Sequence, residues 1–277
     1  MAATGDTISV TPARMRAGRL VTGWRIQLRV IRALMIRELS TRFGRENIGF
    51  LWMMVEPLLF AVMVSIVWTI LRGSTEHSGI STAAFVATGY IPLTLFRHAL
   101  SRSVKIFSVN SSLMYHRQIK ILDFIFVRFL IEMIGSMMAF LFIMVVFVFV
   151  GLMPLPANPP LLLAGWLEYA MFTLALTLIL APLSEQSEFW EKIVPVTTYI
   201  MIPFSGAFTM NSWLAPSARE YLLWSPFVDA MEMIRGGVFG DLVNPIYDPV
   251  IPLVASLVCM VIGLAMCRRI RRTLAVE

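Results

Sequence analysis

Six apolar runs, divided by short breaks rich in charge, Pro or Gly, constrain this chain more than any other feature. They cover about residues 48–71, 80–97, 124–150, 161–183, 192–208 and 251–267. In the first the only charge is Glu56, and from Ile80 to Phe96 there is none. The third carries Arg128 and Glu132 near its start, the fourth Glu168, and the fifth Pro195 and Pro203. A hydrocarbon layer of about 30 Å needs about 20 mostly apolar residues per helix. With 58% of its 277 residues hydrophobic and 14% charged, the chain does not read as a water-soluble core. It reads as an all-α polytopic membrane protein: one domain with six transmembrane helices.

Direction follows from Lys and Arg, which cytoplasmic loops retain in excess. Nine arginines precede the first span, and Arg97, Arg102, Lys105, Arg117, Lys120 and Arg128 lie between the second span and the body of the third. Lys192 and the run Arg268, Arg269, Arg271, Arg272 fall on the same side, leaving Arg72, Arg219 and Arg235 on the other. Both termini are therefore expected in the cytoplasm, with residues 1–23 a flexible lead, 24–270 the membrane domain and 271–277 a tail. The N-terminus has no apolar h-region, so insertion is expected to rely on the spans themselves. The net charge of +6 could suggest nucleic acid, but the basic residues gather at span ends, where anionic lipid headgroups explain them more simply. Cys259 and Cys267 lie in the last apolar run with no histidine near, which argues packing rather than a metal site or a disulfide.

Residues 24–43, WRIQLRVIRALMIRELSTRF, have the pattern of an amphipathic helix lying in the membrane interface. Arg25, Arg29 and Arg32 share one face, and Trp24, Leu28, Ile31 and Met35 line another. Such a helix can simply anchor the chain, or its arginines can also guide an anionic lipid-linked substrate or contact a partner. Residues 110–123, NSSLMYHRQIKILD, offer an N-cap at Asn110, Ser111 or Ser112 and a short helix over about 111–121. Ser112, Tyr115, His116, Arg117, Gln118 and Lys120 would face a docked subunit; an ordinary basic loop is the competing reading.

Charge inside hydrocarbon is costly, so ionisable residues there are candidates for function. Arg128 and Glu132, spaced i,i+4, can pair. Glu56 and Glu168 lack a local basic partner, so a proton relay, packing between helices or an aqueous cavity are all open. Beside Glu56, Pro57 removes a backbone donor and can kink the first span. Residues 209–249 keep Trp213, Tyr221, Trp224, Phe227 and Phe239 among their charges, a pattern that fits re-entrant helices or a surface loop. Phe50, Trp52, Glu56, Tyr199, Phe204, Trp213 and Trp224 are candidates for lining a pathway, although aromatic residues at span ends also serve as interface anchors. Glu185, Glu188 and Glu191 with Lys192 form an acidic loop with no histidine to complete a metal site. No Gly-x4-Gly-Lys-Ser/Thr run exists, so the chain is not expected to hydrolyse ATP, and no hydrolase or zinc motif marks a catalytic site.

Four stretches in order, RFGRENIGFLWMMVEP (42–57), TGYIPLTLF (88–96), MYHRQIKILDFIFVR (114–128) and LLWSPFVDAMEMIRG (222–236), resemble the permease subunit of capsular-polysaccharide ABC exporters, in the type-2 exporter superfamily. O-antigen exporter permeases are similar in arrangement. The resemblance implies a permease homodimer working with two copies of a separate ATP-binding-cassette ATPase, which binds ATP and Mg²⁺, while this chain holds no cofactor. The cargo would be a lipid-linked anionic polysaccharide moved across the inner membrane of a Gram-negative bacterium. By the same analogy, 24–43 is the interface helix, 111–121 the coupling helix, and 209–248 the periplasmic gate. A periplasm-spanning co-polymerase and an outer-membrane translocon are implied as further partners. Arg42 and Arg45 at the cytoplasmic mouth could receive a phosphate terminus. The rival classes are a proton-coupled secondary transporter using Glu56, Glu132 or Glu168, and a membrane scaffold without a conduit.

Overall fold

The computed structural model describes the backbone of residues 12–43, 48–72, 79–115 and 118–274, and side chains for 22–42, 55–64, 66–67, 70, 79–115 and 118–270. Arg45, His116 and Arg117 lie outside the described residues, as do the side chains of Phe50 and Trp52. The described residues form helices and turns with no strand. Helix α1 runs Pro12–Phe43, α2 Ile48–Arg72, α3 Thr82–Ser103, α4 Ile106–Val109, α5 Ser111–Met114, α6 Ile121–Val150, α7 Pro159–Gln186 and α8 Glu188–Ile200. Short 3-10 turns at Pro203–Ser205 and Asn211–Trp213 lead to α9 (Pro216–Leu222) and α10 (Pro226–Phe239), and α11 (Val250–Leu274) closes the bundle.

Among the described residues, three helices are long and apolar enough to cross a membrane: Ile121–Val150, Pro159–Gln186 and Val250–Ile270. The outer faces of α6 and α11 expose Leu141, Val145, Phe149, Leu257, Val261 and Ile262, an apolar surface that suits hydrocarbon and not water. Helix α3 sits inside. Every residue from Ala84 to Phe96 is buried, and Thr88 and Thr94 satisfy their hydroxyls by donating to the carbonyls of Phe85 and Ile91. That internal bonding lets a helix of modest hydropathy occupy the centre of an apolar bundle.

The most extensive helix contacts join α7 to α11 and to α10. Small residues permit them, since helices in lipid associate through close packing rather than by expelling water. A Cβ on Gly237 would strike the Leu162 backbone, and one on Gly165 would come within 2.7 Å of Met233 Cβ. The chain thus has two ends. The basic end gathers the C-termini of α1, α3, α7 and α11 with α4, α5 and the start of α6. At the far end, Ser81 Oγ donates to Leu152 O (2.6 Å) and Asn158 N to Gly237 O (2.9 Å), tying α3, α6, α7 and α10 together.

Three boundaries depart from expectation. The first helix begins at Pro12 rather than at residue 24, because PARMRAGRL places Pro at the first helical position and follows it with good helix formers. The expected fifth helix over 192–208 ends at Ile200: Pro203 lacks the N–H that the ladder needs, and Gly206 (φ +69°) turns the chain. A thirteen-residue helix is about 20 Å long, short of the hydrocarbon thickness. The expected helix over 111–121 is instead one turn, Ser111–Met114. Lys120 is extended and its N–H donates to Asp123 Oδ2 (2.8 Å), so α6 starts with its own cap instead of continuing an earlier helix.

Candidate functional site

Two buried polar constellations, one toward each end of the bundle, stand out from the apolar packing. The first centres on Glu132, whose side chain is 1% exposed. Arg42 of α1 reaches Glu132 Oε1 at 2.5 Å, and Arg102 Nε of α3 lies 3.0 Å from the same oxygen. His98 Nδ1 is 3.6 Å from Oε2, while its Nε2 is 3.8 Å from Glu56 Oε1 on α2; both separations are too long for hydrogen bonds. Three helices, α1, α3 and α6, therefore meet at one carboxylate, and His98 links it to Glu56 on α2. Removing it would take from Arg42 and Arg102 the counter-charge they share, and breaking a buried pair costs about 3–5 kcal/mol.

This overturns the expected Arg128–Glu132 pair. Arg128 instead meets Glu38 Oε1 through Nε (3.1 Å) and donates to the Arg102 carbonyl. The i,i+4 spacing was available, but facing helices supplied better-placed partners for each residue. Glu56 does have a basic neighbour, His98, which comes from another helix. Arg42 of the expected cytoplasmic mouth pairs with Glu132.

The second constellation surrounds α10, in which every residue from Phe227 to Phe239 is buried. Arg235 had counted as a loop charge; its position is the reverse, with 0% exposure. It donates to the carbonyls of Gly206 (2.7 Å), Ala207 (2.5 Å) and Thr209 (2.8 Å), and its guanidinium lies 3.9 Å from the centre of the Phe85 ring. Gly89 makes room, since a Cβ there would collide with the Ala207 carbonyl and approach Arg235 Nη2 to 2.7 Å. One turn earlier, the Glu232 carboxylate accepts from Asn211 N (2.8 Å) and Ile246 N (3.2 Å). Asp229 Oδ1 accepts from Asp248 N at 3.3 Å. Helix α10 is thus a hub whose charged side chains pin the irregular segments before and after it. Five buried polar atoms in this region (Glu168 Oε2, Tyr169 OH, Asn211 Oδ1, Asp229 Oδ2 and Arg235 Nε) have no hydrogen-bond partner among the described residues.

Between the two constellations runs an aromatic and charged face. Phe60 stacks on Tyr90 (centroids 3.7 Å apart) and Arg97 lies 4.7 Å over the Tyr199 ring. Glu56 and His98 are partly open on this face, and Tyr199 is exposed. Phe204, Trp213 and Trp224 are exposed too, with Trp213 packed 4.7 Å from the Phe85 ring, so they gather with the α10 hub rather than with Glu56. Arg25, Arg29 and Arg32 are exposed on α1, and so are Trp24 and Leu28 of the expected apolar face. Ser112, Tyr115, Gln118 and Lys120 are exposed at the basic end. Sequence reasoning missed His98, Arg97 and the role of Arg235. The i,i+4 pair His98 and Arg102, inside an otherwise apolar helix, was the available signal for the first site.

Toward the basic end, a cavity of about 540 Å³ separates α1 from the segment after α5, lined by Val30, Leu34, Arg37, Leu113, Gln118 and Ile119. The acidic loop binds protein groups: Glu185 accepts from the backbone of α4, and Glu191 pairs with Lys105, whose ammonium is held above its ordinary pKa range by that hydrogen bond.

Residues 29–239 match the family model described as ABC-2 type transporter. The chain is 40% identical over 241 residues, 87% of its length and 91% of the relative's, to the capsule polysaccharide export inner-membrane protein CtrC of Neisseria meningitidis serogroup B. It is 38% identical to the capsule polysaccharide export inner-membrane protein BexB of Haemophilus influenzae, over 88% of this chain and 91% of that one. The polysialic acid transport protein KpsM of Escherichia coli is more distant, at 25% identity over 89% and 95% of the two chains.

Proposed function

The chain belongs to the ABC-2 type transporter family, and from that membership we propose that it is the membrane subunit of an ATP-driven exporter moving capsular polysaccharide across a bacterial inner membrane. The observation that carries this is colinearity. Similarity to the capsule-export relatives runs through about nine-tenths of both chains, so it takes in the Glu132 site, the segment around α5 and the α10 hub together.

In this proposal six spans are built from α2, α3, α6, α7, α8 with its irregular continuation, and α11, and the basic end faces the cytoplasm. Helices α9 and α10 then lie on the periplasmic side as short re-entrant pieces, their polar groups covered by protein as such pieces require. Two copies pair, and each binds an ATP-binding-cassette ATPase through the exposed residues Ser112, Tyr115, Gln118 and Lys120. The ATPase supplies ATP and Mg²⁺ chemistry. Its closure moves the segment 106–120, and the permease converts that movement into opening of a pathway for a lipid-linked anionic glycan. The face carrying Glu56, Phe60, Arg97 and Tyr199 suits a glycan, because sugar rings stack on aromatics and acidic groups meet arginine. A periplasmic co-polymerase and an outer-membrane translocon would receive the chain.

The Glu132 site weighs against a proton-coupled carrier, since its carboxylate is committed to Arg42 and Arg102. Deleting the gene in its host should remove polysaccharide from the cell surface and leave it inside, with export restored by the chain supplied in trans. Normal surface polysaccharide in the deletion strain would refute the assignment.

A further inference from the structure

The joint between α3 and α4 meets the corner between α7 and α8 in an arrangement that the proposed function does not by itself require. Among the described residues Lys105 is the only non-glycine with positive φ, at +49°. Its left-handed turn points the backbone donors of residues 105, 107 and 108 at the end of α7. Lys105 N donates to Ser184 Oγ (3.1 Å), and the N–H groups of Phe107 and Ser108 both donate to Glu185 Oε1, at 2.9 and 3.0 Å. Ser108 Oγ donates to Glu185 Oε2. From the other side Lys105 Nζ reaches Glu191 Oε2 on α8 at 2.9 Å. One carboxylate thus fills the orphan donors at the start of α4, and one lysine bridges to the next helix.

We infer that this cluster is the mechanical joint of the exporter: Glu185 and Lys105 fasten the ATPase-facing segment to α7 and α8, so that a displacement of that segment moves both helices. The inference rests on the exporter function proposed above. Three features of the geometry support it. The anchors are backbone groups rather than long side chains, so the joint is stiff. The segment is also held to the body by Ile106 and Phe107, both fully buried, and by an Arg37–Asn110 hydrogen bond of 3.2 Å, so a displacement of it is passed to its surroundings. Helix α8 buries only Val194 and Thr198, and it leads directly to the carbonyls of Gly206, Ala207 and Thr209 that Arg235 clamps. A push at Glu191 therefore has about 14 Å of helix to carry it toward the α10 hub. The Lys105–Glu191 pair is partly exposed and weak alone, which makes Glu185 the principal positioning residue and Lys105 the secondary one.

The test uses the permease together with its partner ATPase in proteoliposomes, reading glycan moved per ATP hydrolysed. Glu185→Ala is expected to leave the complex assembled and hydrolysing ATP while that ratio falls at least tenfold. Glu185→Gln should show the same loss in smaller degree, and it carries the test if the alanine variant does not accumulate. Lys105→Glu should lower the ratio several-fold, and the exchange Lys105→Glu with Glu191→Lys should recover most of it. A wild-type ratio in both Glu185 variants, or no recovery in the exchange, overturns the joint. Failure of the wild-type complex to move glycan on ATP would strike the exporter function instead, so the two are separable.

Discussion

Glu132 is the residue on which the basic end depends, because it neutralises Arg42 and Arg102 where neither can reach bulk water fully. Glu132→Ala is expected to lower stability by about 3–5 kcal/mol, visible as reduced membrane abundance and a lower unfolding temperature in detergent. An unchanged unfolding temperature would show that the arginines find other partners at no cost. Arg235 makes a parallel demand with different chemistry. Lysine keeps the charge but loses the planar fork that spans three carbonyls and stacks on Phe85, so Arg235→Lys should lose most of the clamp; wild-type stability and export would refute it. The sequence showed that intramembrane charges matter but not which pairs form. Arg128 and Glu132 stood one turn apart, yet their partners came from Glu38, Arg42, His98 and Arg102, brought alongside only by the crossing of α1, α3 and α6. Local spacing is silent about such crossings.

At the scale of elements, α10 depends on its glycine contact with α7. Gly237→Leu should force the helices apart at a cost of about 1–3 kcal/mol, with Gly237→Ala intermediate, measured as detergent-phase thermal stability. A silent Gly237→Leu would mean that α10 is not seated as described. The helices of the basic-to-far crossings were legible because their apolar runs are long: α2, α6, α7 and α11 begin within a few residues of the expected positions. The helix over 111–121 was not, for a local reason. Asn110 offered a cap to the following turn, but its side-chain amide donates to Ile106 O, and Asp123 opens α6 with a separate cap. The end of α8 was misjudged likewise: the apolar run continues to Phe208, yet Pro203 and Gly206 stop the helix. Hydropathy registers burial in that stretch without specifying helix.

For the whole molecule, the bundle joins the basic end to the polar hub at the far end through the buried α3 and the closely packed α7, a construction suited to passing movement across a membrane. Class and family were legible from apolar runs, charge asymmetry and four ordered stretches. The buried α10 hub was legible only as a pattern fitting re-entrant helices or a surface loop; that Glu232 and Arg235 would be buried and pin the neighbouring segments follows only from the enclosing helices. The most direct measurement is transport in sealed vesicles holding the permease and its partner ATPase, with ATP supplied on the cytoplasmic face and any proton gradient collapsed. Capsule-type glycolipid is expected to cross in proportion to ATP hydrolysed, at a rate unchanged by collapse of the gradient and by Glu56→Gln. Transport that persists without ATP, or that stops when the gradient or the Glu56 carboxylate is removed, would contradict an ATP-driven exporter.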